Sequence, residues 1–179
     1  EDFNEKDGLY FYRFDVEEPP FDDINVRKAL NYAVDKSTLI NDLNIETPGA
    51  ANRIITPLTY GYNDTKINYV YDINKAESLL KESGYSKSEL DLTLHYLNEE
   101  SHENIARAIK KYWEALDQIG TVTLQGLTSE EYSPFGDYGV VNVGYMNSDV
   151  DPIMYYLNRM KIENIMHFTR EAKSFLERA

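Results

Sequence analysis

The sequence predicts an α/β fold in which helices cover a mixed or parallel sheet. Two kinds of segment alternate along the chain. In one, apolar residues occur at every second position, which is typical of strands; in the other, they recur at helical spacing. A chain of 179 residues is long enough to bury a sizeable core. Because no internal repeat, low-complexity tract or linker divides the chain, residues 1–179 are interpreted as one domain.

An aromatic strand and two short helices are predicted near the start of the chain. The strand covers Leu9–Phe14. The first helix begins at a capping residue, Asp22 or Asp23, and its inner face consists of apolar residues at helical spacing: Val26, Ala29, Leu30 and Ala33. Asp35 then caps the second helix, whose apolar residues are Leu39, Ile40 and Leu43.

A long irregular segment, residues 44–68, separates these helices from a third one. Long ordered loops in compact domains often contribute to function, and Tyr60 and Tyr62 are candidates for ligand contact by their loop position alone. The third helix begins at Asp72, which serves as its N-terminal cap. It stops at Gly84, because glycine readily adopts the left-handed conformation that ends many helices.

A half-buried strand and a long helix follow. Period-two alternation places one set of residues on the buried face of the strand, namely Leu90, Leu92, Leu94 and Tyr96. The opposite face contains Asp91, Thr93 and His95. The long helix runs to about Gln118 and is broken by Gly120, and its predicted inner face consists of Ile105, Ile109, Tyr112, Trp113 and Leu116.

The last third of the chain predicts two more strands and three helices. Val122 and Leu124 alternate with polar residues in a strand, and Val140–Tyr145 is a nearly continuous buried strand. A short helix is predicted to begin at Glu130–Tyr132. The final two helices are predicted at residues 151–160 and 169–179.

The composition excludes several classes of function. The chain carries 31 acidic and 18 basic residues, a formal net charge of −13. So negative a surface argues against nucleic acid or an anionic membrane as a direct partner, because phosphate contacts need clustered Lys and Arg. The absence of cysteine excludes disulfides, thiolate metal sites and cysteine nucleophiles. No apolar run approaches the roughly 20 residues of a membrane span, so no direct membrane insertion is expected.

Several motifs occur in a fixed order along the chain: EPPFDDINVRKALNYAVDKSTLI at 18–40, YDINKAESLLKESGY at 71–85, LHY at 94–96, LDQIGTVTL at 116–124 and GYMNSDVDP at 144–152. In this order they closely resemble the extracytoplasmic solute-binding proteins that feed peptide and nickel ABC transporters. The resemblance runs from about Leu9 to Tyr156. It implies one lobe of the two-lobed periplasmic-binding-protein fold (type II, cluster C).

The same resemblance implies a place in a larger protein. Residues 1–179 match the C-terminal ligand-binding lobe, truncated at both ends relative to the parent protein. The parent is expected to capture oligopeptides for an ABC importer, to contact the permease subunits, and to be no enzyme and need no cofactor. Its expected location is extracytoplasmic, either periplasmic or as a cell-surface lipoprotein. Half of a two-walled cleft is expected to fold but to bind ligand weakly.

The turn after the last buried strand is the first candidate for ligand contact. Ligands collect beyond the carboxyl ends of strands in open α/β sheets, and the residues at this end are Tyr145, Met146, Asn147, Ser148 and Asp149. In oligopeptide-binding relatives the matching aromatic residue lies beside the ligand, and a following Asp pairs with the peptide ammonium. Here that acidic position holds Ser148, and Asp149 comes one residue later. The alternative is a solvated turn with a capping Asp before Pro152.

His102 and Asn142 are further candidates, both from the resemblance. His102 matches a histidine that meets the peptide carboxylate in relatives, and an imidazole at a helix N-terminus favours an anion. The surrounding Glu99, Glu100 and Glu103 oppose that role, and the alternative is an exposed histidine with no task. Asn142 stands where relatives place an arginine, so the bidentate contact to a carboxylate is lost.

Other functions stay open beside peptide capture. The same fold can serve a peptide-pheromone or signal receptor, or a nickel-chelate binding protein in which His95 and His102 take part. A metal-dependent hydrolase is the main alternative from another class. Its ligands would come from the densest set of such side chains: His95, Glu99, Glu100, His102 and Glu103. These residues lack the H-E-x-x-H spacing of a zinc hydrolase, so no metal site is predicted.

Overall fold

Four strands form a mixed sheet in a computed structural model of the chain, which describes residues 8–16, 18–45, 50, 69–132 and 141–147, with backbone placement alone for residues 8, 9 and 141–147. The strands are β1 (Gly8–Phe14), β2 (Leu92–Leu97), β3 (Val122–Leu127) and β4 (Val141–Asn147). Their order across the sheet is β1-β4-β2-β3. β4 runs antiparallel to β1 and parallel to β2, and β2 runs parallel to β3.

Within these described ranges, four α-helices accompany the sheet: α1 (Ile24–Tyr32), α2 (Lys36–Asp42), α3 (Ile73–Ser83) and α4 (Glu100–Glu114). The predicted caps are confirmed for the first three helices, because each aspartate accepts a hydrogen bond from a backbone N–H of the first turn. The pairs are Asp23 with Asn25 at 2.6 Å, Asp35 with Thr38 at 3.0 Å and Asp72 with Lys75 at 2.9 Å. Gly84 ends α3 at φ 77°, as predicted.

Trp113 is the centre of the core on one face of the sheet. Its fully buried indole packs against the rings of Tyr12 and Phe14, with centroids 5.5 and 6.4 Å away. Its Nε1–H donates to the carbonyl of Leu30 at 3.1 Å. The predicted inner face of α1 is confirmed, since all four of its apolar residues are fully buried. One strand and two helices distant in sequence therefore meet in a single core.

The third helix is anchored to α1 rather than to the sheet. The backbone N–H of Asp72 donates to the carbonyl of Tyr32 at 2.9 Å, and Lys75 Nζ lies 4.3 Å from the centre of the Tyr32 ring. Ala76 and Leu80 are fully buried on its inner face. These contacts fix the position of α3 against α1.

Two predicted boundaries are wrong for reasons of local hydrogen bonding. Leu90 ends a 3₁₀ turn, Lys87–Leu90, and β2 starts only at Leu92 because its ladder partner on β3 begins at Val122. The long helix ends at Glu114 instead of Gln118. Beyond Glu114 the chain makes tighter turns, in which Leu116 N–H bonds to the Trp113 carbonyl at 3.0 Å.

The residues after β3 form a turn and not the start of a helix. The N–H groups of Glu131 and Tyr132 both donate to the Thr128 carbonyl, at 3.1 and 2.8 Å. The Glu131 carboxylate accepts from the Thr128 N–H at 3.0 Å and closes this turn. The predicted helices at 151–160 and 169–179, and the candidates Tyr60 and Tyr62, lie outside the described residues.

None of the helices in the described ranges is both long and apolar enough to cross a membrane.

Candidate functional site

The parallel strands β2, β3 and β4 all end at one edge of the sheet, which we call the carboxyl edge. Their last residues are Leu97, Leu127 and Asn147, and β1 begins at the same edge because Gly8 pairs with Asn147. α4 also starts here, with only two residues between the end of β2 and its first residue. Open α/β sheets bind ligands at such an edge, since strand ends and helix N-termini converge there.

The candidates on β4 all lie within the strand, as predicted for Asn142 and Tyr145, whereas Met146 and Asn147 were predicted to lie in the turn beyond it. Tyr145, Met146 and Asn147 pair with Tyr10, Leu9 and Gly8 of β1, because that partner strand extends the ladder to Asn147. Asn142 lies in mid-sheet, in register with Arg13 on one side and His95 on the other. Ser148 and Asp149 lie outside the described residues.

His102, by contrast, is brought directly to the carboxyl edge and buried there. It is the third residue of α4 and only 7% exposed, so the alternative of an exposed histidine is wrong. The ring packs edge-on against Tyr10 of β1 and Tyr132 after β3, with centroids 5.7 and 6.4 Å away. Since Tyr10 pairs with Tyr145, the structure brings the His102 and β4 candidates into one neighbourhood.

Polar groups of the preceding loop and the first turn face the Nδ1 atom of His102. Glu99 Oε2 lies 3.5 Å away, and Ser101 Oγ lies 3.3 Å away. Burial lowers the pKa of His102, and the nearby Glu99 carboxylate opposes that shift. The neutral ring is therefore favoured in the folded protein. Such a ring offers one N–H donor and one nitrogen acceptor to its surroundings.

The first turn of α4 begins without a side-chain cap. Glu99 occupies the capping position, yet its side chain bonds none of the first N–H groups, and only its carbonyl accepts from the Glu103 N–H at 2.9 Å. The Glu103 carboxylate instead pairs with Arg107 one turn later. The electrostatics of this helix end are consequently set by Glu99, Glu100 and the helix dipole.

His95 belongs to a different environment. The predicted solvent-facing position is wrong, since His95 is only 8% exposed on an interior strand and bonds to Gln125 of β3. Burial again lowers its pKa. Leu94 and Tyr96, the neighbours of His95 on β2, belong to the core. Because successive strand residues point to opposite faces, His95 lies on the other face of the sheet from the core and from His102. The two histidines therefore do not meet at one metal.

A metal centre finds no support in the part of the chain that the structure describes. There, no three side chains of His, Asp or Glu come together in a group that could hold an ion. The set considered for a hydrolase is dispersed: His95 lies on the opposite sheet face, Glu103 is engaged by Arg107, and Glu99 lies beside His102.

Tyr10 and Tyr132 are the site residues that the sequence reasoning missed. Nothing in their local sequence singles them out, because their role depends on contacts between distant segments. The burial of His102 did have a signal. His102 falls on the same helical stripe as Ile105, Ile109 and Trp113, all of which are buried in α4.

The family of the chain follows from a match that covers most of its length. Residues 3–164 match the family described as "Bacterial extracellular solute-binding proteins, family 5 Middle". The chain belongs to this family. The members of this family are solute-binding proteins, so the predicted family is confirmed.

Two relatives illustrate the range of ligands named within the family. The oligopeptide-binding protein OppA of Bacillus subtilis is 30% identical over 162 residues, 83% of this chain and 29% of that protein. The heme-binding protein A of Haemophilus influenzae is 34% identical over 117 residues, 65% of this chain and 21% of that protein. The chain thus spans less than a third of the length of either relative.

A solved structure supports the fold class independently. The murein tripeptide binding protein MppA of Escherichia coli superposes with a TM-score of 0.71 at 24% identity, over 82% of this chain and 30% of that one. At that identity the likeness concerns the fold alone. The predicted α/β architecture of periplasmic binding proteins is confirmed.

Proposed function

We propose that the protein containing this chain captures oligopeptides outside the cytoplasm and delivers them to the permease of an ABC importer. The observation that carries this proposal is the 30% identity to an oligopeptide-binding protein over 83% of the chain. In the proposal, residues 1–179 form the C-terminal lobe, and the remainder of the protein supplies the second wall of the cleft. A periplasmic location or a lipid anchor at the cell surface belongs to the same proposal.

The geometry of the carboxyl edge supports ligand capture at this lobe. His102 offers a buried polar ring between two tyrosine rings, a combination that gives a peptide both apolar contact and a hydrogen-bonding group. The end of β4, Tyr145–Asn147, lies beside this ring through its pairing with β1. Ser148 and Asp149 continue from that strand end, and in the proposal Asp149 pairs with the ammonium group of the peptide.

Heme is the second candidate ligand, because the relative with 34% identity is named a heme-binding protein. The test that separates the candidates is native mass spectrometry of the gently purified full-length protein. Peptide capture predicts a ladder of added masses that fragment as peptides. A single added mass with the visible absorption of heme would replace the peptide proposal, and so would a bound metal chelate.

A variant pair tests the proposed role of Asp149. Asp149→Asn is expected to lower the affinity for peptides with a free amino terminus by about ten-fold or more, the scale of a lost charge-assisted hydrogen bond. N-acetylated peptides should bind both forms equally. Asp151→Asn, two residues further on, is the matched control and should leave both affinities unchanged. Equal losses for free and acetylated peptides would contradict the ammonium contact.

A further inference from the structure

The relation between Glu99 and His102 carries an inference about the ligand, and it rests on the proposed function. The side chain of His102 is 8% exposed, whereas that of Glu99 is 60% exposed, and Glu99 Oε2 lies 3.5 Å from His102 Nδ1. A negative charge thus stands next to the one buried imidazole of the proposed site. Any ligand group that approaches this ring also approaches that carboxylate.

His102 cannot offer a net positive charge to a ligand while Glu99 is in place. The neutral ring already has the Glu99 and Ser101 oxygens near its Nδ1 atom. If the ring gained a proton, the negative charge of Glu99 would neutralise the positive charge of the ring before a ligand anion could pair with it. The pair therefore presents either a neutral ring beside an anion or a compensated ion pair.

Among the residues that the structure describes, the other groups around His102 do not reverse this balance. The contacts from β1 and from the segment after β3 are the rings of Tyr10 and Tyr132. On α4 itself, Glu100 adds a further negative charge, and the first basic residue, Arg107, is paired with Glu103. In the turn after β3, Glu130 and Glu131 are acidic as well. The dipole of α4 favours an anion, but the surrounding carboxylates oppose it.

We infer that Glu99 is a specificity residue of the proposed site, which selects ligands that present an uncharged group to His102. A carboxamide, or a peptide bond within a longer chain, meets that condition. A terminal carboxylate would be repelled by Glu99 at a distance of a few ångströms. Glu99 acts on the ligand through charge, so its removal changes the preference between ligands rather than the fold.

The test is a competition between two sets of peptides on the full-length protein after its co-purified ligand has been removed. Tripeptides and tetrapeptides of mixed sequence are offered at equal concentration, one set with free C-terminal carboxylates and the other with C-terminal amides. Native mass spectrometry then counts each kind in the complex. The amide set should be preferred by about ten-fold, the scale of one like-charge contact near a protein surface.

Variants assign that preference to one side chain. Glu99→Gln should bring the ratio of amides to acids close to one. Glu82→Gln, an exposed acidic residue of α3 away from the carboxyl edge, is the control and should leave the ratio as it was. Equal or preferred capture of free acids by the unmodified protein would overturn the inference and leave peptide capture intact. A ratio unchanged in Glu99→Gln would overturn it too. Capture of neither set would refute the proposed function, and the inference with it.

Discussion

The two ends of α4 are buried for different reasons. Near its C-terminal end, Trp113 is fully buried among the rings of Tyr12 and Phe14, and its indole N–H is paired with the Leu30 carbonyl. Near its N-terminal end, His102 is almost as buried, yet its neighbours include a carboxylate, Glu99. The same stripe of the helix thus serves the core at one end and the carboxyl edge at the other.

The difference shows that burial alone does not separate a core position from a site position. At the Trp113 end, the indole N–H donates to the Leu30 carbonyl at 3.1 Å and the Tyr12 hydroxyl donates to Asn31 Oδ1 at 3.1 Å, so these polar atoms are satisfied. At the His102 end, the charge of Glu99 remains largely exposed to solvent. Stability should therefore depend chiefly on the first end and ligand choice on the second.

The largest effect is expected from Trp113→Ala, which removes the centre of the core. A buried indole replaced by a methyl group leaves a cavity, and the free energy of unfolding should fall by about 3–5 kcal/mol. The loss is measured by urea denaturation of the full-length protein, from the unfolding transition of the part that contains residues 1–179. Trp113→Phe is the control and should lose less, since it keeps most of the ring packing. A loss below about 1 kcal/mol for the alanine variant would contradict the core assignment.

A smaller effect is expected at Gly120, which follows the core end of α4. A Cβ built there would lie 2.1 Å from Asp91 Oδ1 and 2.7 Å from the Lys87 carbonyl oxygen. Gly120→Ala should lower the free energy of unfolding by about 1–3 kcal/mol through this steric clash.

Gly84→Ala is the matched control for that substitution. Gly84 has open space around its Cβ position but a φ of 77°, so only backbone strain of about 1 kcal/mol is expected. Thermal unfolding of both variants would compare the two costs. If the free energy of unfolding falls no more for Gly120→Ala than for Gly84→Ala, the close packing of Gly120 against Asp91 and Lys87 is contradicted.

The smallest effect concerns the pH dependence at the other end of α4. Burial lowers the pKa of His102 below its ordinary value of 6.5, so the unfolded chain binds more protons than the folded one as the pH falls through that value. The contribution of His102 to stability is therefore complete above pH 6.5 and is lost as the solution becomes more acidic. Its slope is at most about 1.4 kcal/mol per pH unit.

His102→Asn should flatten that slope, whereas Trp113→Phe should change the stability without changing the slope. The measurement is the midpoint of urea unfolding between pH 7.5 and 5.5, where carboxylates contribute little. His95 has a lowered pKa for the same reason and supplies a residual slope in both variants. A wild-type slope of opposite sign would contradict the burial of neutral histidines.

The helix caps and the inner face of α1, which depend on local sequence, are predicted correctly, whereas the C-terminal end of α4 and the turn after β3 are local features that were predicted wrongly. The aspartate caps of α1, α2 and α3 and the terminal glycine of α3 follow from chemistry within one turn of each helix. The inner face of α1 follows from its spacing. These features are decided by neighbours in sequence, and for that reason composition and periodicity suffice for them.

The other wrong predictions concern parts that depend on distant partners. Met146 and Asn147 are strand and not turn because β1, more than a hundred residues earlier, extends the ladder. His102 is buried because Tyr10 and Tyr132 close over it. The position of His102 on the same helical stripe as Trp113 could have predicted its burial. The resemblance indicated only a charge-based contact with a carboxylate. The roles of Asn142, Ser148 and Asp149 in ligand contact stay predictions.

The most direct test of the account is nuclear magnetic resonance of the histidine rings in the full-length protein. The ligand-free protein, labelled with ¹⁵N in its histidines, is titrated with peptides recovered from the native complex, and His102→Asn identifies the relevant signals. Saturation with peptide is expected to shift the ring resonances of His102, because the carboxyl edge is proposed to form a wall of the binding site. Unchanged His102 resonances in the fully bound protein would contradict that claim.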